Sequence, residues 1–332
     1  MADPAADTDT PGRICPLSYH HGPEALREAP RIAADSAWIV GGLYGNVEAL
    51  DAIERRAAAD ATDGRVRLVF NGDFHWFDID PADFATVQRR VTRHAATAGN
   101  VEAELHAPDS AAGCGCAYPE FVDDATVERS NRIIEALRAT ASRTPGATAA
   151  LAALPRLLRL EVAGATVGIV HGDPEALAGW GLAIEHVTGA TATTDGGRVR
   201  DWARRAGVDA FASSHTCLPW AATLGGIPVI NNGSAGMPNF RDRIDEVLVT
   251  RIARADEPAP DAAYAEVAGG LRLEAVPIAI DGPAWRARFA RDWPHGSPAE
   301  QSYARRLHHG PAHTRADARP VSGTGDEAGA AG

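Results

Sequence analysis

The sequence predicts an α/β fold in which two packed sheets carry helices on their outer sides. Three observations support this. Apolar strand-like runs alternate with helical periodicity early in the chain, and strand-rich sequence follows later. Polar turns bearing metal-ligating side chains stand after several of those runs, at the strand ends where ligands bind in open α/β sheets. Finally, 332 residues of which 45% are hydrophobic suffice to bury the core of one large domain.

The elements follow in chain order. Residues 1–34 are rich in Pro, Ala and Asp and read as an irregular segment. Ala37-Trp38-Ile39-Val40 is a short buried strand that enters the turn Gly41-Gly42-Leu43-Tyr44-Gly45-Asn46. A helix follows, with Val47, Leu50 and Ile53 at helical spacing. Residues 67–70 are the next strand, which delivers Asp73, and 81–95 read as a helix with Phe84, Val87 and Val91 on one face. Ala96-Thr97-Ala98-Gly99 leads into a turn at Asn100.

The stretch 105–124 reads as a loop and 125–141 as a helix. Residues 157–162 and 166–170 form a hairpin whose second arm ends at His171. A helix near 197–206 precedes Ala210-Phe211-Ala212-Ser213, which ends at His215. Strands near 219–224, 227–231, 246–252 and 271–280 and a helix near 282–292 complete the core. Residues 310–332 are rich in Gly, Ala, Pro and Asp and read as a disordered tail, which leaves 35–309 as a single domain.

Composition excludes some partners. The net charge of −12 argues against nucleic acid and anionic membrane surfaces, which need a basic face. All 32 basic residues are arginine, whose fork pairs with phosphate oxygens. No signal peptide is visible at the start, and no apolar stretch reaches transmembrane length. Cys15, Cys114, Cys116 and Cys217 are too few for a disulfide scaffold, so a reducing cytoplasm is expected.

The turns supply Asp73, Asn100, His171 and His215: one carboxylate, one amide oxygen and two imidazoles. That donor set suits Mn²⁺, Fe²⁺ or Zn²⁺. Taken singly, each residue has another use. Asp73 also suits a turn or helix cap, Asn100 a turn, and the two histidines a satisfied interior. Cys217 is either a ligand or a small buried hydrophobe. His75, two residues after Asp73, is a candidate to ligate metal, contact phosphate or protonate a leaving group. Trp76 and Trp180 suit a pocket wall or the core. Cys114-Gly115-Cys116 reads either as two reduced thiols on a loop or as a loop folded over the site to add thiolates.

In this order the motifs resemble the calcineurin-like metallophosphoesterase family. Its pattern is Asp-x-His, Gly-Asp, Gly-Asn-His-(Asp/Glu), a His-Gly turn, then Gly-His-x-His. Gly72-Asp73, Gly99-Asn100, His171-Gly172 and His215-Thr216 match it, as does Asn232-Gly233-Ser234 at a last turn, within roughly residues 36–253. The resemblance implies a four-layer α-β-β-α sandwich with two packed mixed sheets. It also implies one or two divalent ions (Mn, Fe or Zn) and hydrolysis of a small phosphomonoester or phosphodiester by metal-activated water. It assigns Asp73, Asn100, His171 and His215 to one metal position.

Four departures stand out: Gly42 and Tyr44 replace the first Asp and His, Val101 replaces the His after Gly-Asn, and Cys217 replaces the final His. Of the second metal position only Asp73 is unchanged, with Tyr44 and Cys217 as stand-ins. A thiolate there would shift preference toward Zn²⁺ or Fe²⁺. Val101 cannot transfer a proton. The departures imply a second possibility, a protein of this fold that binds a metal, ligand or partner without turnover.

Overall fold

A computed structural model describes residues 10–61, 64–189 and 192–320. Twelve strands form among the described residues. They are β1 (Arg31–Ala33), β2 (Ser36–Val40), β3 (Val66–Asn71), β4 (Ala95–Thr97), β5 (Leu157–Val162) and β6 (Ala165–Val170). Then come β7 (Ala210–Ser213), β8 (Trp220–Leu224), β9 (Ile227–Asn231), β10 (Glu246–Arg254), β11 (Tyr264–Ala268) and β12 (Leu271–Ala279). They make two six-stranded sheets, ordered β11-β12-β10-β2-β3-β4 and β1-β5-β6-β7-β9-β8. Both sheets are mixed: β2, β3 and β4 are parallel, as are β6, β7 and β9, while β10 and β5 pair antiparallel with β2 and β6.

Side chains alternate across a strand, so strands buried on both faces read as unbroken apolar runs. β2 shows the consequence. Ala37 and Ile39 face the other sheet and pack with Leu160, Val167, Ile169 and Ala212. Trp38 and Val40 face outward and pack under helices. β7 splits likewise, with Ala210 and Ala212 between the sheets and Phe211 outside. Each fully buried Leu or Ile here contributes about 2 kcal/mol relative to exposure.

Helices cover both outer faces. Those among the described residues are α1 (Val47–Asp60), α2 (Pro81–Val91), α3 (Asn100–His106), α4 (Asp124–Arg143), α5 (Ala147–Ala152), α6 (Ile184–Val187), α7 (Gly196–Ala206), α8 (Gly282–Asp292) and α9 (Pro298–His309). Leu50, Phe84, Ile134 and Phe289, from α1, α2, α4 and α8, pack on the outside of the first sheet. Val199, Trp202 and Ala206 of α7 pack on the second. The result is the expected sandwich of two mixed sheets between helical layers.

The edges differ from the sequence reading. Three residues of the segment expected to be irregular form β1, parallel to β5 at the sheet edge; a strand that short carries no periodicity. Asn100 opens the helix α3 rather than sitting in a bare turn. α9 was not expected, although Ser297 caps it by accepting from Glu300 N and Pro298 takes the first turn, a legible start signal. Residues 310–320, expected to belong to a disordered tail, are docked. Ala221 N donates to Ala318 O (2.9 Å), and the His313 ring meets Pro219 O at 2.8 Å. The expectations for 1–9 and 321–332 fall outside the described residues. Among the described residues no helix is long and apolar enough to cross a membrane.

Candidate metal centre

The two sheets are joined at the C-terminal end of β3 by Asn71, which is fully buried. Its Nδ2 donates to Val170 O at the end of β6 (2.7 Å), and its own carbonyl accepts from His171 Nδ1 (2.9 Å). The chain then turns at Gly72, with φ +74°; a Cβ there would lie 2.5 Å from His171 Nδ1 and 2.6 Å from Gly99 N. Only glycine permits that approach.

Four side chains converge beyond this turn. Asp73 Oδ2 lies 3.2 Å from His171 Nε2. Asn100 Oδ1 and His215 Nδ1 each lie 3.3 Å from the same nitrogen. The carboxylate and one amide come from the first sheet's β3 and β4 ends, the imidazoles from the second sheet's β6 and β7 ends.

Their outer contacts fix which atom faces inward. A carbonyl can only accept, so His171 Nδ1 carries a proton for Asn71 O and leaves Nε2 facing the cluster. His215 Nε2 meets Cys116 O at 3.2 Å, which leaves Nδ1 facing inward. Asn100 Nδ2 donates to Cys114 O (3.1 Å), which turns Oδ1 inward. Asp73 Oδ1 accepts from Val101 N (3.1 Å) and leaves Oδ2 facing the cluster. Four acceptor atoms therefore face one another, an arrangement that repels itself unless a proton or a cation sits among them. Asp73, His171 and His215 offer ligand atoms all within 4.8 Å of one another, so this buried group could hold a divalent metal.

The electrostatics are consistent with that. Burial opposes charge on Asp73, but His171, His215 and the Val101 N–H outweigh it and hold its pKa below the usual range. Burial likewise opposes charge on His171, yet the Asp73 carboxylate wins and raises it. His215 is pushed down to about 3, by burial first and then by His171.

Backbone strain concentrates here. Of seven non-glycine residues with positive φ among the described residues, four are Tyr44, Asp73, His215 and Cys217. Such conformations persist only where the surroundings enforce them, and they cluster at functional sites.

Glu102 does the enforcing at Asp73. Fully buried, it accepts from Asp73 N (2.7 Å), Gly99 N (2.8 Å), Phe74 N (3.1 Å) and His75 N (3.3 Å). Burial, then the nearby Asp73 carboxylate, pushes its pKa up to about 7. The sequence reading gave Glu102 no role, although a Glu three residues after Gly99 is a capping signature.

The other expected site residues fall in different places. Cys217 does not join the metal-ready group; its Sγ lies 2.9 Å from Tyr44 OH and 3.3 Å from His215 O. Burial, with the Cys217 charge beside it, raises the Tyr44 pKa well above its usual value, and burial raises that of Cys217. The two side chains are hydrogen-bonded to each other.

Cys114 and Cys116 do lie on a loop folded over the site: Asn100 Nδ2 donates to Cys114 O and to Cys116 Sγ (3.6 Å), and His215 Nε2 meets Cys116 O. All four cysteines are free.

His75, the catalytic candidate, has its ring enclosed by other side chains. Its ring is fully buried, Nδ1 meets Asp78 Oδ2 at 2.6 Å, Nε2 meets Gln88 Oε1 at 2.9 Å, and Phe84 stacks on it at 3.8 Å. Both nitrogens are committed, so it is a satisfied core histidine.

Above the cluster lies a cavity of about 230 Å³. Trp76, Tyr118, Trp180 and Tyr303 wall it, Asp73 and His215 lie in its floor, and Arg306 reaches it from α9. Trp180 Nε1 donates to Cys116 O (3.0 Å), and its ring meets His215 edge to face at 5.4 Å.

No family sequence profile and no curated protein sequence matches the chain. Solved structures do. One is a hypothetical protein from Pyrococcus horikoshii OT3, 13% identical, covering 85% of this chain and 100% of that one with a TM-score of 0.55. Another is a metallophosphoesterase from Sphaerobacter thermophilus, 16% identical, covering 83% and 100% with a TM-score of 0.50. The chain has a calcineurin-like metallophosphoesterase fold. Within that fold the buried Asp/His/His group and its cavity sit where the two sheets meet, beyond the C-terminal ends of β3, β6 and β7.

Proposed function

We propose that this protein is a metal-dependent phosphoesterase that hydrolyses a small phosphomonoester or phosphodiester with metal-activated water. The observation that carries the reading is the set of outward hydrogen bonds that turns Asp73 Oδ2, Asn100 Oδ1, His171 Nε2 and His215 Nδ1 toward one point. Two nitrogens and two oxygens of this kind suit Mn²⁺, Fe²⁺ or Zn²⁺. When bound there, the ion supplies Lewis acidity, lowering the pKa of water and neutralising phosphoryl charge.

The chain's own residues do the rest. Asn71 and the Cys114–Cys116 carbonyls hold the ligands in orientation, which outer contacts of this kind tune strongly. The aromatic wall excludes water around the ester. Tyr44 and Cys217, hydrogen-bonded to each other, also line the cavity.

The reading is tested by measuring bound metal and assaying aryl phosphate esters with Mn²⁺, Fe²⁺, Zn²⁺ and Ni²⁺. Turnover that Asp73→Ala and His171→Ala abolish, with folding intact, is expected; protein that takes up no metal and turns over no ester rejects it.

One observation favours a second reading, a binding protein of the same fold without turnover. Val101 is apolar where the resemblance implies a proton donor, and both nitrogens of His75 are committed elsewhere. Metal uptake and phosphate binding without hydrolysis of any ester would select this second reading.

A further inference from the structure

Among the described residues Arg306 is the one arginine lining the cavity, and its position is built. On α9, Tyr303, Arg306 and Leu307 stand at helical i, i+3, i+4 spacing. Leu307 is buried in the core and Tyr303 walls the cavity, so the same face carries Arg306 inward. Two anchors fix the guanidinium: Nε donates to Pro238 O and Nη2 to Cys217 O, each at 2.9 Å. Both partners are carbonyls, which orient the group without neutralising it.

Arg306 therefore places a positive charge beside the Tyr44–Cys217 pair, in the same cavity that Asp73 and His215 line. Among the described residues, one group of His, Cys, Asp and Glu side chains is arranged to hold a metal ion, and Cys217 is not part of it. Asp73 cancels half the charge of a dication in the cluster. A phosphomonoester dianion brings two negative charges, one of which a single net positive charge leaves unmatched. A fixed guanidinium fork supplies the remaining charge with geometry suited to phosphoryl oxygens.

Resting on the reading of the site as a phosphoesterase centre, we propose that Arg306 is the substrate-binding cation of this cavity. It receives the phosphoryl oxygens on the side where a second metal ion would otherwise stand, so the protein works with one metal and one arginine.

The test uses the full chain loaded with one metal and reads orthophosphate binding by titration calorimetry, alongside metal content and melting temperature. Arg306→Gln is expected to weaken orthophosphate binding by about tenfold or more with metal content unchanged. Arg306→Lys keeps the charge but loses the fork, and falls between the two. Millimolar guanidinium is expected to restore part of the binding to Arg306→Ala, which a merely structural role for the side chain would not produce.

Orthophosphate affinity in Arg306→Gln and Arg306→Lys within twofold of the parent, or two metal ions per chain in the parent protein, would overturn the proposal. If the Gln variant does not fold, the Lys variant and the parent stoichiometry still decide it. Those results would leave the phosphoesterase reading standing when the parent protein turns over esters; absence of both metal uptake and turnover would instead remove that reading.

Discussion

On one side of the cavity floor, Asp73, Asn100, His171 and His215 each give one polar atom to an outer backbone partner and leave the other facing inward. On the other side, Tyr44 and Cys217 face each other at 2.9 Å. Both sides use residues held at positive φ, so the backbone device is shared. What differs is where the hydrogen bonds go. Ligand readiness follows from the outer contact, because an imidazole with both nitrogens bonded is structural, as His75 shows. A strained turn presents a side chain; the partner behind it decides whether that side chain is available.

The contrast breaks most severely when an inward donor is removed. His171→Ala should weaken metal binding by more than the roughly 10- to 100-fold that loss of an outer hydrogen-bond partner costs. Tyr44→Phe should change metal affinity by less than about threefold, because its hydroxyl is paired with Cys217 Sγ. Competition with a chromogenic chelator measures both, and similar losses in the two variants would erase the distinction.

Next in size is the backbone support. Glu102→Ala leaves four buried N–H groups without their acceptor and should cost about 4 kcal/mol or more in denaturant unfolding. Glu102→Gln keeps an acceptor oxygen and should cost less. A cost under about 1 kcal/mol for the alanine variant would mean that the Asp73 turn holds itself.

The smallest effect concerns the docked 310–320 segment, which lies apart from the cluster. Burial lowers the pKa of His313 below its usual value despite its bond to Pro219 O. The unfolded segment therefore binds more protons just below pH 6.5, so docking weakens as pH falls through that value and is unaffected above it. Amide exchange at Ala221, whose N–H is bonded to Ala318 O, should speed up modestly between pH 7 and 5.5 after correction for intrinsic rates, and His313→Asn should flatten the response.

Much of this molecule is legible in its sequence. The runs that become β2, β3, β6 and β7 are apolar because both of their faces are buried, and the glycines after β2, β3 and β6 mark where the chain must turn tightly. Those local facts determined the strands, their order and the four residues at their ends. The sequence did not reveal α9, because its start signal lies past the last motif and its apolar face is short. It also gave no role to Glu102, whose four partners come from two separate turns.

Only the tertiary structure decided which atoms face inward. His171 and His75 look alike in the chain, each beside a Gly-Asp turn. One ring meets a carbonyl across the sheet junction, while the other is enclosed by Asp78, Gln88 and Phe84. Cys217 was equally open as ligand or wall until its neighbours were placed. The physical reason is that sequence periodicity sets which face a residue takes, whereas the availability of a lone pair depends on a hydrogen-bond partner that can lie a hundred residues away.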